Sequence, residues 1–172
     1  VEDDSEIKSL SGSAAFSGAA AVGAAVAVNR IGNTTLAHVS GSADNSIYDL
    51  ENLLVSSDSS SQIESIAIGV GAGINVGVAG SVATNFINNN TLSYINQGAK
   101  IRAQNNVGVI AESDEVITNA AGSAGLGFAT AGVGASVTVN KIYGNTKAYI
   151  SGSETEVTAL AGDSNDKLTV NS

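Results

Sequence analysis

Large and small side chains alternate almost strictly along residues 68–84. Ile68, Val70, Ala72, Ile74, Val76, Val78, Gly80 and Val82 fall on one parity, and Gly69, Gly71, Gly73, Asn75, Gly77, Ala79, Ser81 and Ala83 on the other. A period of two is that of a β-strand, whose successive side chains point to opposite faces. One face is expected to enter an aliphatic core. The other is lean enough for a second backbone, a flat partner or water to lie against it. Two related runs flank this one, SAAFSGAAAVGAAVAV and AAGSAGLGFATAGVGASVTV.

The three runs belong to three copies of one unit. Superposing Asn29, Asn85 and Asn140, at spacings of 56 and 55 residues, brings the surroundings into register. Ile31, Ile87 and Ile142 follow at two residues; Thr35, Thr91 and Thr146 at six; Ala37, Ser93 and Ala148 at eight; Val39, Ile95 and Ile150 at ten. Ile7, Ile63 and Ile117 mark the start of each run. Further on, Ile47, Leu53 and Val55 are echoed by Ile101, Val107 and Val109, then by Val157, Leu168 and Val170 after a longer gap. Self-similarity at such a period is the signature of a stacked architecture. The units are read as about 5–60, 61–115 and 116–172, continuous in a single β-solenoid spanning 1–172. The fold class expected is all-β, with three repeats of about 56 residues forming a parallel β-helix.

Helix competes only in the first run, where residues 19–25 are Ala-rich. The equivalent stretch of the second copy, residues 75–81, holds two glycines, Gly77 and Gly80, each costing about 1 kcal/mol in a helix relative to Ala. Equivalent repeats share one conformation, so strand is preferred. Residues 65–99 carry no charge, but alternation with Gly, Asn and Ser gives no uniformly lipophilic helix, and no Trp or basic flank anchors the ends. A strand that meets lipid remains compatible with the alternation. The Ser-rich stretch 56–61 and residues 162–166 read as surface turns, and Asn88, Asn89 and Asn90 as a tight turn before the strand that starts at the Thr.

Composition supports a thin, layered interior. Trp, Met, Cys and Pro are absent, and twenty glycines accompany an Ala/Val/Ile/Leu core. A formal charge of -9 with seven Lys and Arg argues against nucleic acid and anionic membrane surfaces. The lack of Cys is compatible with export, and the start at Val1 suggests a piece of a longer protein.

Candidate chemistry is sparse. The repeated Asn29, Asn85 and Asn140 suggest a structural ladder in which amides hydrogen-bond along the stacking direction, and Thr35, Thr91 and Thr146 are read in the same way. His38, the sole histidine, aligns with Tyr94 and Tyr149. A catalytic base would not be replaced by tyrosine at equivalent places, so the three are read as a surface column of flat side chains that could bind a partner. The dispersed acids lack the loop of a calcium site, and the glycines lack the GK[ST] of a phosphate loop. Two glycosylation sequons, at Asn33 and Asn89, recur because the unit recurs. No catalytic, cofactor or metal site is expected, and the chain is read as non-enzymatic.

The spelling VAVNRIGNTTLAHV, VATNFINNNTLSYINQGAKIRA and VTVNKIYGNTKAYISGSETEVTA resembles that of bacterial type V secreted passengers, most closely the leukotoxin and filamentous-haemagglutinin-like adhesins. The resemblance implies a right-handed parallel β-helix, secreted or held at the bacterial surface. Its partners would be a host cell-surface protein or glycan, with membrane contact only if the runs act as a membrane-active, pore-forming segment. The first copy departs from the spelling over residues 44–57, which suggests an irregular coil or an end.

A repeat of 56 residues wound as one coil would have a contour of about 185 Å at about 3.3 Å per residue, wide for so small-sided a core. Two coils per repeat are therefore expected, with His38, Tyr94 and Tyr149 recurring every second coil, roughly 10 Å apart.

Overall fold

The computed structural model describes residues 1–41, 47–160 and 167–172. The alternating runs form strands throughout. In chain order these are β1 (Glu2–Ser17), β2 (Ala20–Ser40), β3 (Ile47–Leu50), β4 (Leu53–Gly73), β5 (Val76–Asn96), β6 (Lys100–Ala103), β7 (Val107–Gly127), β8 (Ala131–Ile150), β9 (Glu156–Ala159) and β10 (Leu168–Asn171). They stack in three parallel sheets, ordered β1-β4-β7-β10, β2-β5-β8 and β3-β6-β9. Each sheet takes every third strand, so the chain is a parallel β-helix.

Each repeat makes one wide coil, which corrects the two-coil expectation. Asn29 pairs with Asn85, and Asn85 with Asn140, as direct neighbours in the ladder. A contour of that length does not enclose a wide lumen because the coil is flattened. Two long strands run out and back with a tight turn between them, and the short third strand closes the opposite end. The outer turns stack too: Asn75 N–H donates to the Ala19 carbonyl (2.9 Å) and Ala129 N–H to that of Ile74 (2.7 Å).

The flattening also inverts the expected core. On β4 the inward side chains are Ser57, Ser59, Ser61, Ile63, Ser65, Ala67, Gly69 and Gly71, all buried, whereas Ile66 and Ile68 face outward. β5 repeats this: Gly77, Ala79, Ser81 and Ala83 are inside, and Val76, Val78 and Val82 are exposed. The lean face is the inner one because the two sheets converge toward the turn until backbone meets backbone. A Cβ on Gly71 would fall within the van der Waals envelope of the Val78 carbonyl on the facing strand, and one on Gly69 within that of Gly80.

Moving away from the turn, the interior widens in layers. Ala27, Ala67 and Ala83 pack with Ala121, and Ile31, Ile63 and Ile87 with Ile7 and Ile117. At the closed end Val55, Ile95, Ile101, Val107 and Val109 form the largest apolar cluster with Ala37, Ala99 and Ala103. Between these lie polar layers. The Ser-rich stretch 56–61, expected as a turn, is mid-strand in β4. Its inward hydroxyls are bonded: Ser57 Oγ lies 2.7 Å from Ser93 Oγ, and Asn89 Nδ2 donates to Ser61 Oγ at 2.8 Å. Small hydroxyls favour turns when they have only local partners, but facing polar layers offer them buried ones. Asn88, Asn89 and Asn90 likewise continue β5 rather than turning.

Length differences between repeats fall at the corners. β4 and β5 are separated by two residues, β7 and β8 by three, which turns a ladder offset of 54 into one of 55. At the corner after β5, Gln97 and Gly98 take positive φ (54° and 71°), a conformation that Gly adopts without strain. The register pairs Tyr48, not Ile47, with Ile101, and Ile101 with Val157, one residue away from the sequence alignment, because residues 51–52 join β3 to β4 where residues 104–106 join β6 to β7. The expected turn at 162–166 lies outside the described residues, as do residues 44–46 of the 44–57 departure, whose remaining residues supply β3 and the start of β4.

Candidate functional surface

The asparagine column runs along the stacking axis inside the coil. Asn29 Nδ2 donates to Asn85 Oδ1 at 2.7 Å, and Asn85 Nδ2 to Asn140 Oδ1 at 2.9 Å. Facing groups complete it: Asn29 Nδ2 also reaches Ser9 Oγ (2.8 Å), and Asn119 Nδ2 reaches Asn140 Oδ1 (2.9 Å). Asn85 is 0% exposed, so its amide is tied to the fold. Val28, Thr84 and Val139 point to the other face.

Thr35, Thr91 and Thr146 share a register but do not bond one another. Thr91 Oγ1 donates across the interior to Ser113 Oγ at 3.5 Å, and the buried Thr35 Oγ1 has no partner among the described residues. Asn89 is buried, with its amide on Ser61 and on Glu115 Oε1 (3.3 Å). Its sequon is therefore closed to modification in the folded chain.

His38, Tyr94 and Tyr149 stand on the outer face of β2, β5 and β8 in adjacent coils. The His38 and Tyr94 rings lie 5.3 Å apart at 24°, and the Tyr94 and Tyr149 rings 5.0 Å apart at 11°. The expected 10 Å period is thus halved, a direct result of one coil per repeat. The rings stack on one another rather than standing as separate contacts, and stacking of this kind holds each ring in one orientation. Alongside, Ser40 Oγ donates to Asn96 Oδ1 at 2.8 Å.

A second group on the same face went unnoticed in the sequence. The Arg30 guanidinium lies 5.2 Å from the Phe86 ring centroid, and Phe86 is 5.5 Å from the tilted ring of Tyr143. Beside them is a hollow of about 300 Å³ lined by Arg30, Gly32, Thr34, Asn88, Asn90, Tyr143 and Asn145. The repeat alignment could have flagged it, since Arg30, Phe86 and Lys141 occupy one column and Gly32, Asn88 and Tyr143 the next.

The long sheets differ in charge. β2, β5 and β8 contain Arg30, Lys141, Lys147 and His38 and no Asp or Glu, whereas β1, β4 and β7 hold carboxylates from Glu2 to Glu115 and only Lys8 as a base. Lys8 is paired with Glu6 at 2.7 Å, and that bond together with the Glu6 charge raises its pKa above the ordinary lysine value. A strongly acidic chain therefore presents one long face free of acid, and that face bears the aromatic column.

The outward aliphatics form the third feature. Val22, Val26 and Val28 on one long sheet and Ile66, Ile68, Leu126 and Phe128 on or beside the other are exposed around the thin edge. No helix among the described residues is long and apolar enough to cross a membrane, which says nothing of strands. Among the described residues no group of three or more His, Cys, Asp or Glu is placed to hold a metal ion. Comparison of the chain with protein-family models, with curated proteins and with solved structures finds no match, so the passenger resemblance rests on the repeat spelling.

Proposed function

We propose that this chain is a non-enzymatic segment of a secreted or surface-held bacterial shaft that adheres to a host cell-surface protein or glycan, as in adhesin and leukotoxin passengers. The observation that carries the reading is the stack of His38, Tyr94 and Tyr149 on an acid-free sheet face. Flat side chains with a polar tip, held in one orientation, supply contact area at low entropic cost on binding. A solenoid repeats such a column for as long as coils are added. The test replaces Tyr94 and Tyr149 together by Ser and measures attachment to host cells. Attachment should fall while the thermal transition stays within a few degrees, and unchanged attachment rejects the column as the recognition surface.

A second reading, a membrane-active segment, is favoured by the exposed aliphatics on both faces of the thin edge. Dye release from liposomes by the purified chain separates the two readings.

A further inference from the structure

We propose that the hollow beside Arg30 is a binding site for a carboxylated saccharide unit, such as a uronic acid residue of a glycan. This names a second place and a ligand class beyond the aromatic column, and it rests on the adhesive reading only for where that glycan would be found.

The site joins three groups that such a unit requires. The first is a cation. Arg30 is exposed on the outer face, its guanidinium set against the Phe86 ring, and no carboxylate is paired with it among the described residues. Its planar guanidinium matches a carboxylate in a two-point bond that a lysine cannot make. Two acids lie below the hollow on the inner side of the sheets: Asp3, to which Asn33 donates, and Glu115, to which Asn89 and Ser113 donate. The second is a flat ring. Tyr143 is 53% exposed, and tilted against Phe86 it offers a face to the C–H side of a pyranose and a hydroxyl at its rim. The third is a set of amides of fixed polarity. Asn145 Nδ2 donates to Asn90 Oδ1 at 2.9 Å, which leaves the Asn90 nitrogen as a donor and the Asn145 oxygen as an acceptor for sugar hydroxyls.

Size agrees with one sugar unit. Arg30 and Tyr143 lie in the first and third coils, two ladder steps apart, hence roughly 10 Å, about the breadth of a pyranose with its substituents. The depression exists because Gly32 stands where the next two coils carry Asn88 and Tyr143. A Cβ there meets only the Asn88 carbonyl oxygen, at 3.8 Å, so the backbone does not demand glycine at this place. An aromatic ring, amides of both polarities and a cation on an acid-free face suit a polar, anionic ring better than an apolar peptide side chain.

The experiment is an NMR titration of the isotope-labelled chain with methyl glucuronide, with neutral methyl glucoside and with acetate as separate probes. Saturable shifts of the Arg30 side chain and of the Asn90 and Asn145 amides are expected with the glucuronide, and binding at least about tenfold weaker with either other probe, as expected when one charge-assisted contact is lost. Arg30→Gln and Gly32→Val should each weaken glucuronide binding by about tenfold or more with the thermal transition unchanged. Equal binding of acetate would overturn the saccharide assignment, and equal binding of the glucoside the role of the carboxylate. No saturable shift with the glucuronide, or unchanged binding by Arg30→Gln, would overturn the site. Failure here leaves the Tyr94 and Tyr149 attachment test standing, so the two claims fail separately.

Discussion

Gly71→Ala adds one methyl group at the point where the two long sheets meet. The new Cβ would overlap the Val78 carbonyl on the facing strand and approach Gly23 N, on the adjacent coil, to 3.1 Å. Both obstacles are backbone, so relief requires the sheets to part over several residues rather than a rotamer change. Overpacking of this kind costs about 1–3 kcal/mol. Gly122→Ala provides the control: it lies on β7, where an added Cβ meets nothing within 4 Å, and the loss of unfolded-chain freedom should stabilise by about 0.4–1 kcal/mol. The two variants should therefore differ by roughly 1.4–4 kcal/mol, a difference of about 0.7 to 2 molar in urea midpoint at an m-value near 2 kcal/mol per molar. Equilibrium urea unfolding followed by far-UV circular dichroism reads it. Equal midpoints for Gly71→Ala and Gly122→Ala would show that the glycine face is not the inner one, and the inverted arrangement of the runs would fall.

Asn85→Ala removes the central member of the amide column, leaving the amide oxygen of Asn140 to Asn119 alone; a loss of about 1–3 kcal/mol is expected by urea unfolding. Ile87→Ala, at a position 0% exposed, should cost about 2–5 kcal/mol, whereas the same change at Ile68, which is 47% exposed, should cost much less. For the buried Ser57 and Ser93 pair, a double-mutant cycle should give Ser57→Ala a larger cost alone than in the Ser93→Ala background, because removing both partners strands neither hydroxyl.

The repeat and its register were legible in the sequence because period-two alternation and the Asn-x-Ile spacing persist through all three copies. Which parity faces inward was not. Alternation defines two faces without saying which is buried, and the usual preference for burying Val and Ile fails here because two backbones close on each other first. Ile66 and Ile68 are exposed while Gly69 and Gly71 are buried. Winding failed for a related reason: contour length implies a wide coil only if the section is round. The serines of 56–61 and the asparagines of 88–90 were read by composition as turns, yet their inward members bond across the interior in layers that only the paired sheets create. At the surface, His38, Tyr94 and Tyr149 could be aligned by repeat position. The two columns that hold Arg30, Phe86 and Tyr143 could be aligned as well, but not the diagonal contact between them across three coils, which only the packed side chains show.

The central claim is that one repeat is one coil, with residues 56 or 55 apart as ladder neighbours. Cross-strand nuclear Overhauser effects in the isotope-labelled chain test it most directly. Backbone contacts of Asn85 with the neighbours of both Asn29 and Asn140 are predicted, continuing residue by residue along β5. Contacts joining residues about half a repeat apart, with none at 56 and 55, would contradict the account.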